Sequence, residues 1–291
     1  MLTRRQLLKR SAALVGAGAL HGFNVQCLFA GDQPRFRIGA CDWSIERRNK
    51  VEAMEMAKQI GLDGVQVSLG SVENDMHLRR PEVQEAYRSA ARKFGVRIGG
   101  LAIGELNNVP YKSDPRTEQW VSDSIDVAEA LGVRVILLAF FVKGDLKNDP
   151  AGQKVVIERL RKVAPKAEKA GVILGIESWL SAREHLDIIQ AVGSKNVQVY
   201  YDVANSNQMG YDIYEEIRSL GKEQICEFHC KENGFLLGKG KVDFKKVRRA
   251  VDDIGFTGWL QIEGAVPEGA KMLDSYVRNL GYLRSVFPKQ A

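Results

Sequence analysis

Seven times between residues 36 and 264 an amphipathic stretch ends at a glycine and passes into a short run of apolar and β-branched residues. The glycines are Gly61 (KQIGLDGVQV), Gly95 (RKFGVRIGG), Gly132 (AEALGVRVILL), Gly171 (EKAGVILGI), Gly193, Gly221 and Gly255 (DDIGFTGWLQI). A glycine just past a helix end takes the left-handed conformation that caps the helix and turns the chain. Each one therefore marks a helix-to-strand turn. With an opening strand at Phe36 to Asp42, they predict eight strands: 36–42, 64–69, 96–103, 133–141, 172–177, 197–202, 225–229 and 258–263. Strands that alternate with helices form a parallel sheet. Eight such units predict a single α/β domain, a closed (β/α)8 (TIM) barrel over residues 31–291, with a last helix from about Gly269 to Ser285 completing the ring. No Pro- or Ser-rich linker divides the chain.

Residues 1–30 stand outside this pattern. Arg4 and Arg5 adjoin, Lys9 and Arg10 follow, and Ser11 to Leu20 is a Gly- and Ala-rich apolar run. The run is too short to span a bilayer, which takes about 20 residues. The order resembles a twin-arginine export signal, with Thr3 and Leu7 where Ser and Phe are commoner. Cleavage after Ala30 would leave a periplasmic or secreted protein without stable membrane insertion. Cys27 follows Gln26 rather than a small residue, which argues against a lipid anchor. Removing the four basic residues takes the net charge from +6 to +2, a surface with no electrostatic footprint for nucleic acid. Cys41, Cys226 and Cys230 then remain, an odd number that does not suit a disulfide framework. Cys226 and Cys230 share a strand and lie about 13 Å apart if it is extended, beyond bridging reach. Strand alternation turns both away from the side that His229 takes, so they are expected to be buried, reduced and structural.

Polar residues close four successive apolar runs: Glu177 in GIESW, Asp202 in VYYDVAN, His229 in ICEFHCKEN and Glu263 in LQIEG. The gaps are 25, 27 and 34 residues, each about one strand-plus-helix unit. In a barrel of parallel strands such ends meet at one mouth, where active sites of this architecture lie. Any one of them alone reads as a surface carboxylate or a satisfied core histidine. Four at four successive strand ends read as a metal site. Three carboxylates and one imidazole, with no thiolate, favour one divalent ion, Mn²⁺ first, with Mg²⁺, Co²⁺ or Zn²⁺ admissible. Other groups expected at the mouth are Asp42-Trp43-Ser44, Ser68, Glu105 to Asn108, and Phe140-Phe141. Below it, alternation places Gln66, Gln198, Glu227 and Gln261 inside the barrel as a hydrogen-bonded layer in which Glu227 is structural. After His229 the sequence reads as a polar turn, then a glycine-rich loop and a helix opening at Val242-Asp243-Phe244.

The segments IES (176–178), YDVAN (201–205), HCKEN (229–233), GKGKVDF (238–244) and GWLQIEG (258–264) resemble the sugar phosphate isomerase/epimerase superfamily of xylose-isomerase-like barrels. The resemblance extends over nearly all of residues 31–291; its specific motifs lie in the C-terminal half. It implies a metal held by Glu177, Asp202, His229 and Glu263, with Glu177 and Glu263 also moving a proton on opposite faces of a hydroxy-ketone through an enediolate. Position at the strand ends makes Trp43 and Ser68 candidate substrate contacts, with Phe140 and Phe141 beside Trp43 as an apolar wall for a sugar ring; alternation turns Lys231 to the side of His229, and Asn205 and Lys239 lie in the resembling segments. Two departures set the chain apart from the ketose 3-epimerases of that superfamily: Asn205 stands where they carry histidine, and Phe235 where they carry arginine. Lys239 and Lys241 are the cations near enough in sequence to replace it. Export points to a free sugar, a glycoside or a keto-sugar rather than a sugar phosphate, and a folded-cargo route suits an Mn²⁺ enzyme loaded before it meets copper or zinc.

The same first step would serve a lyase that eliminates from 3-keto-glycosides. A non-catalytic sugar-binding barrel is a further reading. A DNA-repair endonuclease of related fold needs a histidine-rich three-metal site, and only His77, His185 and His229 remain beyond residue 30. Xylose isomerase itself needs a second metal whose extra acidic ligands are not found. Exposed barrel faces leave homo-oligomerisation open.

Overall fold

The computed structural model describes residues 34–289. The export signal read in residues 1–30, Cys27 included, lies outside the described residues.

Eight strands form one closed, all-parallel barrel in the order of the sequence, with β8 returning to β1. They are β1 (Phe36–Cys41), β2 (Gly64–Ser68), β3 (Arg97–Ile103), β4 (Val135–Phe140), β5 (Ile173–Ser178), β6 (Val197–Asp202), β7 (Ile225–Glu232) and β8 (Gly258–Gly264). The helices between and after them are α1 (Ala53–Ile60), α2 (Pro81–Phe94), α3 (Arg116–Leu131), α4 (Pro150–Ala170), α5 (Ala182–Val192), α6 (Val203–Gln208), α7 (Ile213–Leu220), α8 (Phe244–Asp253) and α9 (Met272–Val286). The seven predicted turn glycines all have positive φ, from 64° to 91°. At Gly61, Gly95, Gly132 and Gly171 the glycine N–H also returns to the last helical turn. The repeat in the sequence is thus the repeat of the barrel.

Each strand alternates between two cores. Outward side chains such as Ile38, Val65, Leu101, Ile136, Leu174, Val199, Phe228 and Leu260 are buried against the helices in one continuous cluster. Each is worth about 1.5–3 kcal/mol of transfer free energy. A smaller cluster, Ala102, Val135, Leu137, Ala139 and Tyr200, fills the barrel itself, with Trp43, Phe141 and Cys226 packed on it.

The structure corrects three readings. β7 runs three residues past His229, so Lys231 and Glu232 lie on the strand rather than in a turn. Its pairing with β6 skips from Val199↔Ile225 to Tyr200↔Glu227, a bulge that leaves Cys226 as an extra residue. The bulge inverts alternation below it, so Cys226 packs on Tyr200 inside the barrel, whereas Cys230 faces the helices as expected. Gln198 does not join the polar layer: it is half-buried lower on the strand, its amide on the Lys195 carbonyl, and Tyr200 stands in the layer instead. All three remaining cysteines are free thiols.

Candidate metal centre

Glu177, Asp202, His229 and Glu263 come together at the C-terminal mouth, with one ligand atom from each within 4.8 Å of the others. Register does the gathering. Asp202 pairs with His229 across β6 and β7, and Lys231 pairs with Glu263 across β7 and β8.

Each ligand is aimed by something else. Asp202 closes β6 and caps α6: its Oδ1 accepts from Ala204 N–H at 2.8 Å and Asn205 N–H at 2.9 Å. That locks the carboxylate and turns Oδ2 toward His229 Nδ1, 4.0 Å away. His229 is fully buried and points Nδ1 at Glu177 Oε1 (2.7 Å) and Glu263 Oε2 (3.6 Å). Its Nε2 faces Gln66 Oε1 at 3.0 Å and Cys41 Sγ at 3.3 Å. Glu263 accepts from Trp43 Nε1 at its Oε1 and from Lys231 Nζ at its Oε2, both at 2.8 Å.

The four residues fit a divalent cation. Among the described residues, the buried Asp202 Oδ2 has no hydrogen-bond partner. A buried carboxylate oxygen without a donor is costly and calls for a positive partner. Lys231 Nζ stands 3.7 Å from it, an ion-pair distance but not a hydrogen bond. Three carboxyl groups share the pocket with one lysine, and oxygen donors with one imidazole suit a hard or borderline ion.

Protonation is asymmetric across the pocket. Burial raises Glu177 despite His229 beside it. Burial would also raise Glu263, but Lys231 and then His229 outweigh it and hold Glu263 below the usual carboxylate range. Burial raises Asp202, with Lys231 opposing. His229 is raised against the effect of its burial by Cys41, Glu177 and Glu263. Since burial pushes the Cys41 thiol itself up to about 12, the two carboxylates are the operative partners.

The remaining candidates divide. Trp43 and Lys231 are in the site, bonded to Glu263. Asn205 is buried at the start of α6, beside Asp202. Ser68 is at the mouth, but its Oγ donates to Asp42 Oδ1 at 2.7 Å and its N–H to Asp42 Oδ2 at 2.8 Å. Lys239 and Lys241 are exposed on the loop after β7, and their side chains make no hydrogen bond or ion pair among the described residues. Phe140 is buried on the helix side against Tyr111 and forms no part of an apolar wall at the mouth. Phe141 does face the inner cluster, edge-on to Trp179 at 5.3 Å. Trp179 joins it at the mouth, and its place two residues after Glu177 in GIESW is the sequence signal for it. His77 and His185 lie outside the quartet; His185 is held by Ser178 Oγ and the Ser181 carbonyl.

The profile of the xylose isomerase-like TIM barrel family matches residues 54–286. A 2-epi-5-epi-valiolone 7-phosphate 2-epimerase of an Actinoplanes species is 25% identical over 193 residues, 65% of this chain and 71% of that one. D-psicose 3-epimerase of Enterocloster bolteae is 22% identical over 234 residues, 74% of this chain and 77% of that one. Among solved structures, D-psicose 3-epimerase with D-tagatose from Clostridium cellulolyticum H10 superposes with a TM-score of 0.73 at 20% identity, covering 86% of this chain and 99% of that one.

Proposed function

The chain belongs to the xylose isomerase-like TIM barrel family, and on that premise we propose that it is a divalent-metal-dependent sugar epimerase or isomerase acting by proton transfer next to a carbonyl. The observation that carries this reading is the quartet itself, with the buried Asp202 Oδ2 left without a donor among three carboxylates and an imidazole. Epimerases among the relatives support the substrate class, small sugars and their derivatives.

Glu177, Asp202, His229 and Glu263 would hold the ion, which when bound polarises a carbonyl and makes the neighbouring C–H more acidic. The chain's own groups supply the rest. Lys231 and Trp43 both donate to Glu263 and fix its carboxylate at the edge of the pocket. Glu177 and Glu263 both border the pocket, and one would take the proton while the other returns one to the opposite face. Lys231 adds a cation where negative charge develops on the substrate oxygen. Trp43, Phe141 and Trp179 are half-buried and give a sugar ring an apolar face. The export signal read in residues 1–30 directs the proposal to free sugars, glycosides and keto-sugars, and Mn²⁺ is the proposed ion.

The test is deuterium incorporation, followed by mass spectrometry, when the Mn²⁺-loaded chain is given a panel of ketohexoses and 3-keto-glucosides in heavy water. Label should enter at a carbon next to the ketone, and Glu263→Gln should slow its entry by about a hundredfold or more. The product identifies epimerisation, isomerisation or elimination. A chain that binds Mn²⁺ and exchanges nothing would be a sugar-binding barrel instead, and one that binds no Mn²⁺ would remove the quartet as a metal centre.

A further inference from the structure

Beneath the quartet a chain of hydrogen bonds descends into the barrel, with the Cys41 thiol beside its first link. His229 Nε2 meets Gln66 Oε1 at 3.0 Å. Gln66 Nε2 donates to Tyr200 Oη at 3.1 Å, and Tyr200 Oη donates to Glu227 Oε2 at 3.0 Å. Gln261 Nε2 reaches the same Glu227 oxygen at 3.3 Å. Gln66, Tyr200, Glu227 and His229 are each 0–1% exposed, so water does not compete for these bonds.

The chain has a direction. Glu227 Oε2 receives two donors, so it is an acceptor whether or not the other oxygen carries a proton. Tyr200 therefore donates downward and can only accept from above. That orients the Gln66 amide with its NH₂ toward Tyr200 and its oxygen toward His229. An amide oxygen accepts only, and the Cys41 thiol, 3.3 Å from Nε2, donates to that same Gln66 oxygen at 3.3 Å, so the proton of a neutral His229 ring sits on Nε2. The lone pair is then on Nδ1, the nitrogen that faces Glu177, Glu263 and Asp202.

We propose that Gln66, Tyr200 and Glu227 form a positioning arm that fixes the tautomer and orientation of His229 for the ion held by the quartet. The inference rests on the metal reading given above. A purely structural layer would satisfy its own polar groups first. Here Gln261 Oε1 is buried without a partner among the described residues, while every bond on the branch leading to His229 is made. Partners that orient a ligating histidine characteristically change metal affinity by 10–100-fold when removed.

The experiment measures Zn²⁺ affinity of the full chain by chelator competition, together with ¹⁵N–¹H spectra of the His229 ring in the Zn²⁺-loaded protein. Tyr200→Phe frees the Gln66 amide to turn over. It should weaken Zn²⁺ binding by about tenfold and deplete the Nε2–H tautomer. Gln66→Glu offers His229 an acceptor whichever way it turns, so it should keep near wild-type affinity. In that background Tyr200→Phe should change affinity by less than about threefold, a rescue that general damage to the barrel would not give. Equal losses from Tyr200→Phe in both backgrounds, or an unchanged affinity with the Nε2–H signal intact, would overturn the arm while leaving the metal site standing. A wild-type chain without Zn²⁺ affinity would overturn the metal reading, and the arm with it.

Discussion

Asp42 shows how a residue at the mouth can be polar, buried and outside the quartet. It is fully buried, and it accepts the Ser68 N–H and hydroxyl and the Asn49 N–H, tying β1 to β2 above the barrel. Burial nevertheless pushes its carboxyl up to about 6 against these bonds. The folded-state value lies above the unfolded one, so its contribution to stability is complete below about pH 4 and is lost as pH rises toward 6. Two units correspond to about 3 kcal/mol. Denaturant unfolding of wild type and Asp42→Asn at pH 4, 5.5 and 7 should therefore show the difference moving toward the variant by about 3 kcal/mol as pH rises. A difference that stays constant over this range would mean that Asp42 ionises normally. Ser68 read from sequence as a group free to meet substrate because it ends a strand; that its hydroxyl is committed depends on β1 and β2 lying side by side, which one strand cannot reveal. The quartet was legible for the opposite reason, since each member closes its own apolar run. Tyr200 was hidden because an aromatic residue in VQVYYD is indistinguishable from core.

At the scale of elements, backbone strain is sorted by face. Among the described residues, the non-glycine positions with positive φ are Glu46, Asn49, Asp75, Met76, Val142, Asn148 and Ala265, all on segments that follow strand ends. The helix-to-strand turns at the opposite face use glycine. Strain held in loops around a pocket is the usual sign of a constrained functional surface, and Val142, β-branched and 67% exposed, is its clearest case. The loop after β7 is held differently. Glu232 accepts the N–H groups of Lys241 (3.2 Å) and Val242 (2.9 Å), and the chain passes so close that a Cβ on Gly240 would lie 2.1 Å from Glu232 Oε2. Gly240→Ala should break this clamp at a cost of about 1–3 kcal/mol. Hydrogen exchange should then accelerate at Lys241 and Val242 while β7 amides below Phe228 stay protected; unaltered exchange at Lys241 and Val242 would show that Glu232 does not hold the loop. The glycine-rich motif is visible in the sequence, but its partner is not, because the polar residues after His229 hide the last part of β7. Bulges are concealed in the same way: the inversion at Cys226 arises from the pairing of β6 with β7, a property of two strands together.

The molecule as a whole separates what keeps it folded from what the mouth does. At the end of the barrel opposite the quartet, Phe36 of β1 and Phe287 after α9 meet edge to face at 5.2 Å, both fully buried. The Arg248 guanidinium lies over both rings, and Arg35 lies over Phe36 while pairing with Asp252 at 2.7 Å. Asp63, just before β2, accepts from Ile38 N–H and pairs with Arg284 and Lys289, so the C-terminal helix is tied to the first two strands. None of these groups reaches the quartet, and the strand register that gathers the quartet lies on the far side of the polar layer. Phe287→Ala should thus lower stability by about 3–5 kcal/mol, a fall in Tm on the order of 10 °C for a chain of this size. At 20 °C, where the variant remains folded, its Zn²⁺ affinity should stay within about twofold of wild type, since the affinity is set by β5 to β8 and the arm beneath them. Chelator competition and thermal unfolding on the same samples separate the two quantities. If affinity fell in step with stability, the two ends of the barrel would be one cooperative unit, and the division of labour argued from their separate contacts would be wrong.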